Sequence, residues 1–345
     1  MLAIEASQDL TMKNLPTLTV FTGDDLGQFE VMKSQVLKQI GYDSADLNFA
    51  HFDMKEATYK DIELELLSLP FFADEKIVIL DHFVDITTAK KRYLSDDELK
   101  YFEEYLGNPS PTSKLVIFAE GKLDSKRRLV KLLKRDAKVF EAIEPKEQEL
   151  RAYFQKWSQK QGLTFTEKSF DHLLIKSDFQ FSEIQKNLIF LQSYKTDSNI
   201  TEEDIVQAIP KTLQDNIFDL TQLILAKKID QARELVKDLT LQGEDEIKLI
   251  AIMLGQFRLY TQVKILQESG QTESQMVSSL GNYLGRNPNP YQIKFALRDS
   301  RRLSLDFLQN SIRYLIQTDY QIKTGVYEKG YLFERALLQI ASQSN

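Results

Sequence analysis

The residues of this chain best spaced for chemistry are Gly23-Asp24-Asp25-Leu26-Gly27. They follow the β-rich run Leu18-Thr19-Val20-Phe21-Thr22 and precede residues 29–40, where Phe29, Met32, Val36 and Ile40 recur along one helical side. Strand, glycine turn and helix are the parts of a phosphate-binding loop, whose backbone N–H groups and helix N-terminus hold phosphate oxygens. A working loop carries a lysine for the outer phosphates and a hydroxyl for Mg²⁺ directly after its second glycine. Here Gly27 is followed by Gln28-Phe29, and Asp24 and Asp25 would repel a triphosphate. No Gly-Lys-Ser or Gly-Lys-Thr occurs anywhere in the chain. Residues 23–27 therefore read as a degenerate P-loop, with no ATP or Mg²⁺ expected. Asp81 closes the apolar run Ile77-Val78-Ile79-Leu80, as does the acid that positions Mg²⁺ in P-loop ATPases. Without the lysine and hydroxyl it reads as a strand-end cap.

No other catalytic set stands out. There is no cysteine, which removes disulfides, thiolate zinc sites and cysteine nucleophiles together. The three histidines, His51, His82 and His172, are widely spaced and offer no His-x-x-x-His pair, so each reads as a surface or packing residue. No catalytic or metal-binding residue is expected.

Two stretches have the chemistry of binding instead. Ser68-Leu69-Pro70-Phe71-Phe72-Ala73-Asp74 sets two phenylalanines behind a proline where a turn should lie. Turns run over the surface, where apolar bulk is costly unless something covers it. The residues alone leave two readings open: the rings tuck under a sheet, or they form an exposed wedge for a partner. Residues 122–138 hold eight Lys/Arg against Asp124 and Asp136 in a chain whose net charge is −7. That segment is a solvated helix face or a surface near DNA phosphates or an acidic partner.

The elements that must position these residues divide the 345-residue chain, which is too long for one core. Residues 47–52, 77–80, 115–118 and 138–140 read as further strands, alternating with helices at 59–67, at 95–106 behind the capping box Ser95-Asp96-Asp97-Glu98, and around Leu129, Leu132 and Leu133. In the 59–67 helix, Ile62, Leu66 and Leu67 are expected on one buried side. This alternation predicts a parallel α/β sheet over residues 1–142. After Glu144-Pro145 the strand signals stop. A small helical domain is expected over 143–212, with an all-helical domain over 213–345 in which apolar residues 249–257 form a central helix. No apolar run approaches the roughly 18 residues that span a bilayer, and residues 1–14 carry no secretory signal. The protein is expected to be cytoplasmic.

This order resembles the delta-subunit family of the bacterial DNA polymerase III clamp loader: a degenerate AAA+-like P-loop α/β domain, a small helical lid and an all-α collar. Residues 123–134 look like the family's basic helix. Ile217-Phe218-Asp219-Leu220 looks like the opening of its C-terminal domain. Gln256-Phe257-Arg258-Leu259, Asn289-Pro290-Tyr291-Gln292-Ile293-Lys294 and Asp319-Tyr320-Gln321-Ile322-Lys323-Thr324-Gly325 look like further signatures. The lack of cysteine argues against the sister delta-prime subunit, which usually carries a zinc module. The resemblance implies that Phe71 and Phe72, flanked by Leu69 and Pro70, grip the ring-shaped sliding clamp (the beta subunit). Lys126, Arg127, Arg128 and Lys131 are possible contacts to DNA or a partner. It further implies a hetero-pentamer with tau/gamma and delta-prime, in which the neighbours hydrolyse ATP and this subunit helps open the clamp and load it onto primed DNA. It would then be an accessory subunit of a nucleotidyltransferase holoenzyme, without catalysis of its own and with no membrane partner. Two alternatives are a divergent P-loop nucleotide hydrolase using Asp81 on Mg²⁺, and a helical scaffold or adaptor with a decayed ATPase domain.

Overall fold

Five parallel strands make one sheet: β1 (Leu18–Gly23), β2 (Phe49–Asp53), β3 (Lys76–Asp81), β4 (Ser113–Glu120) and β5 (Lys138–Ala142), in the order β2-β3-β4-β1-β5. The computed structural model describes residues 1–70, 73–195, 197–284 and 290–343. The chain divides into two compact units, Met1–Ile205 and Val206–Asn345. The break expected at 142/143 lies inside the first unit.

In the first unit, side chains alternate across each strand and two cores follow. On one face Val20, Val78, Leu80, Leu115 and Ile117 pack against α3 (Tyr59–Leu67), α4 (Asp96–Gly107) and α5 (Arg128–Asp136), through Ile62, Leu66, Phe102, Leu129, Val130 and Leu133. On the other, Phe21 stacks between Phe118 and Phe140, each 5.1 Å away, and Phe118 meets Phe29 edge-on. Phe29 belongs to α2 (Leu26–Gln39), which also carries the short N-terminal helix α1 (Ala3–Ala6). Strands covered on both faces read as continuous apolar runs, which is why β1, β3 and β4 were legible. Ser95 caps α4 as expected, its Oγ accepting from Glu98 N while Glu98 Oε2 accepts from Ser95 N.

Residues beyond 145 in this unit are helical, α6 (Glu147–Lys160), α7 (Glu167–Lys176), α8 (Phe181–Tyr194) and the start of α9 (Glu202–Ala208), around Phe154, Phe170, Leu173, Phe181, Ile184 and Leu188. They are not wholly helical, however. β6 (Thr164–Phe165) and β7 (Asn199–Ile200) pair in parallel, which corrects the expectation that strands stop after Pro145. Two residues are too few to show a period of two in sequence.

The second unit is a bundle of α10 (Leu213–Leu225), α11 (Ile229–Leu241), α12 (Glu246–Glu268), α13 (Glu273–Leu284), α14 (Pro290–Ser300), α15 (Leu305–Lys323) and α16 (Lys329–Ala341). As expected, α12 is central: Leu249, Ile250, Met253, Phe257 and Val263 are buried, and it packs against α10, α14, α15 and α16. Among the described residues it is also the one helix whose length and composition would cross a membrane, and its buried residues belong to the core of this bundle. Ile217, Leu220 and Phe257, from two of the signatures quoted above, lie in that core. A polar thread runs through it from Thr221 to Gln256 (2.9 Å), on to Tyr260 (2.8 Å) and Asp299 (3.3 Å).

Candidate functional site

Parallel sheets bind ligands outside the carboxyl ends of their strands, so Gly23, Asp53, Asp81 and Glu120 mark the first place to look. β1 ends at Gly23 and α2 begins at Leu26, leaving Asp24 and Asp25 as the connection. The backbone here is engaged on every side. Gly23 N donates to Gly121 O (3.1 Å), Gly121 N to Gly23 O (2.7 Å), and Asp25 N to Ala142 O (3.1 Å). Gly23 sits at φ +140°, and a Cβ there would lie 2.0 Å from Ala142 O, so no other residue fits.

The N-terminus of α2, where an anion would sit, is capped by the chain itself. Asp25 Oδ1 accepts from Gln28 N at 2.9 Å. Burial pushes the Asp25 carboxyl above its usual value. Gly27 is pressed against the first turn of α8: an added Cβ would lie 2.8 Å from Ser182 Cβ and 2.9 Å from Ser182 N. Gln28, standing where a working loop has its lysine, is buried and turned inward. Its Oε1 accepts from Ala3 N (3.0 Å) and its Nε2 donates to Ile143 O (3.1 Å). The side chain ties the N-terminal segment to the sheet.

Asp81 is more than the cap its sequence suggested. Lys33 Nζ, from α2, reaches both of its oxygens, and His51 Nε2 stands 3.6 Å from Oδ2. His82, held at φ +56°, sets Nδ1 3.1 Å from Asp53 Oδ1 and Nε2 3.4 Å from Glu120 Oε1. Burial opposes the charged form of Asp81, but His51 and Lys33 outweigh it and hold the carboxyl far below the usual range. Asp53 is likewise lowered, its slight burial outweighed by Lys55 N–H and His82. Two histidines expected to be isolated thus belong to one charged cluster. Lys33 Nζ bridges the two oxygens of Asp81, and no group of His, Asp or Glu suited to a metal occurs among the described residues.

The second place is the turn between α3 and β3. Thr58 caps α3, and Ile62 and Leu66 fix it to the sheet. Leu67, expected beside them, is instead 64% exposed, with Leu64 at 68% and Leu69 at 71%. The reason is angular. At about 100° per residue, Leu64 and Leu67 fall on the side opposite Ile62 and Leu66. Pro70 is half-buried, while Phe71 and Phe72 lie outside the described residues. The base of the turn is pinned by Lys76 Nζ, which meets Ser68 Oγ (2.6 Å) and Glu65 Oε2 (3.0 Å). Leu64, Leu67 and Leu69 are therefore exposed just ahead, in sequence, of the two phenylalanines.

The basic segment splits in two. Arg127 is largely buried and structural: it donates to the carbonyls of Asp85 and Ala89 and to Asp124 Oδ2. Arg127, expected as a possible contact to DNA or a partner, thus has its guanidinium engaged within the chain. Lys126, Arg128 and Lys131 are exposed, with Arg128 paired to Glu103 at 3.2 Å.

Comparison with known proteins adds the following. A family model described as "DNA polymerase III, delta subunit" matches residues 20–143, and one described as "DNA polymerase III delta subunit, C-terminal domain" matches residues 214–340. The chain is similar to DNA polymerase III subunit delta of Bacillus subtilis (strain 168), 28% identical over 310 residues, which cover 88% of this chain and 87% of that protein. It is also similar to the solved structure of the Bacillus subtilis DNA clamp loader delta protein, at 25% identity, TM-score 0.62 and 99% coverage of both chains.

Proposed function

Because the chain belongs to the DNA polymerase III delta-subunit family, whose models match most of its length, we propose that it binds the sliding clamp, helps open the ring and loads it onto primed DNA. The observation that carries this reading is the exposure of Leu64, Leu67 and Leu69, which precede Pro70-Phe71-Phe72 in the sequence. A monomer rarely leaves such bulk uncovered without a partner for it. Two aromatic rings bury roughly 300–500 Å² in a pocket, enough for a hot spot. Holding one clamp interface in a shape that does not close would turn binding energy into ring opening.

In this reading the subunit hydrolyses nothing and takes no cofactor. Support comes from Asp25 as the anion of α2, Ser182 against Gly27, Gln28 in the lysine's place and Lys33 on Asp81. Motor subunits of the tau/gamma type supply the ATP chemistry. Residues 143–212 act as lid, and the bundle over 213–345 acts as the collar that joins the pentamer with delta-prime in the cytoplasm.

The test is clamp binding by surface plasmon resonance. Phe71→Ala with Phe72→Ala is expected to abolish binding while leaving the circular dichroism spectrum unchanged. Wild-type clamp affinity in the folded double variant overturns the assignment.

A further inference from the structure

The sequence shows one basic segment, but the fold builds a larger cationic surface. Lys90-Lys91-Arg92 is a second run of cations, some thirty residues upstream. The structure stitches it to the first. Thr88 N donates to Lys122 O (2.8 Å), Asp124 N to Ile86 O (3.0 Å), and Thr87 bridges to Leu123. Arg127 Nη2 reaches Ala89 O at 3.2 Å. Arg127 is thus the buried strut that holds two like-charged segments side by side against their mutual repulsion.

Of the exposed cations, Arg92 is neutralised by Asp96 and Arg128 by Glu103. Lys90, Lys91, Lys122, Lys126 and Lys131 are exposed and form no ion pair among the described residues. Of the acids in the contact, Asp124 is taken up by Arg127 and by Lys126 N, and Asp85 is buried with its carboxylate accepting from Tyr93 N and Leu94 N. The first turn of α5 carries no acidic residue, so its backbone adds positive potential to the same place.

We propose that this surface, Lys90 and Lys91 together with Lys122, Lys126 and Lys131, binds the phosphate backbone of a nucleic acid. The proposal deepens the clamp-loading reading and rests on it for the identity of the polyanion. Two features favour a phosphate backbone over an acidic protein. Neither 88–92 nor 122–131 exposes a large apolar side chain, and a protein interface needs such an anchor. Lysines also act as point charges that meet phosphates without reading sequence. In a chain of net charge −7, only a local concentration of cations lets DNA approach.

The experiment titrates a fluorescent primer–template duplex with the full chain at several salt concentrations, reading anisotropy. The variants are Lys90→Glu/Lys91→Glu and Lys122→Glu/Lys126→Glu. Wild type is expected to bind with a steep salt dependence. Each double variant is expected to lose roughly tenfold or more at low salt, with the slope of log K against log salt reduced by about 2. Thermal unfolding and clamp affinity should stay at wild-type values in both. Phe71→Ala/Phe72→Ala should leave DNA binding untouched, so failure of this proposal and failure of the clamp assignment are separable. No DNA binding by wild type, unchanged affinity in the folded variants, or binding of polyglutamate in preference to the duplex overturns the proposal.

Discussion

Lys33 Nζ lies 2.8 Å from Oδ1 and 2.6 Å from Oδ2 of Asp81, so a side chain of α2 holds both oxygens at the carboxyl end of β3. Both groups are mostly withdrawn from solvent. Removing one partner of such a pair costs more than removing both, because a lone buried charge remains. Lys33→Met is expected to destabilise the first unit by about 3 kcal/mol. Lys33→Met with Asp81→Leu should recover most of that loss. Urea unfolding followed by circular dichroism measures both, and equal losses in the single and double variants would dismiss the pairing.

The same pair sets an acid sensitivity. Asp81 has a lowered folded-state pKa, so its stabilisation is fully present above the unfolded carboxylate value of about 4 and fades as pH falls below it. Wild-type Tm is expected to drop between about pH 5 and pH 3 more steeply than that of Lys33→Met/Asp81→Leu. Parallel Tm profiles for the two proteins would exclude Asp81 as a source of the slope.

Gly27 allows α8 to reach the start of α2. An alanine there meets Ser182 backbone as well as its side chain, so the clash is not relieved by a rotamer change. Gly27→Ala should cost about 1–3 kcal/mol, read as a lower urea midpoint. A variant as stable as wild type would mean that α8 does not press on this turn.

The proposed function gives ATP–Mg²⁺ no role on this chain. Isothermal titration of the isolated chain should give no binding heat up to millimolar nucleotide. Micromolar affinity would revive a divergent nucleotide hydrolase.

Arg127 and Arg128 are neighbours with opposite fates. Arg127→Ala leaves the Asp85 and Ala89 carbonyls without their donor and should cost about 2–3 kcal/mol, with Lys a poor replacement because it lacks the planar fork. Arg128→Ala should stay within about 0.5 kcal/mol of wild type. Chemical unfolding of the two variants decides the matter, and equal stabilities would contradict the strut.

Leu64 and Leu67 face solvent, so Leu64→Ser/Leu67→Ser should leave Tm within a degree or two. If these leucines belong to the clamp contact, affinity should fall roughly tenfold, short of the complete loss expected for the phenylalanine pair. Unchanged clamp affinity would confine the contact to the turn itself.

The sequence alone determined what depends on local pattern. β3 and α3 fall where Lys76-Ile77-Val78-Ile79-Leu80-Asp81 and the 59–67 periodicity put them. Ser95 and Glu98 announced their capping box, and the apolar girth of 249–257 announced a central helix. The missing lysine and hydroxyl after Gly27 were equally plain, because a motif is contiguous. The tertiary structure decided what depends on residues meeting across the chain. His51 and His82 looked isolated but join Lys33, Asp53, Asp81 and Glu120 because neighbouring strands end at the same edge. Leu67 looked buried until the sheet fixed which side of α3 faces it. Arg127 looked like one cation among eight, and only the approach of residues 85–89 to 122–127 made it a strut. Spacing in sequence reports the faces of one element, whereas partners brought together by the packing of several elements leave no local mark.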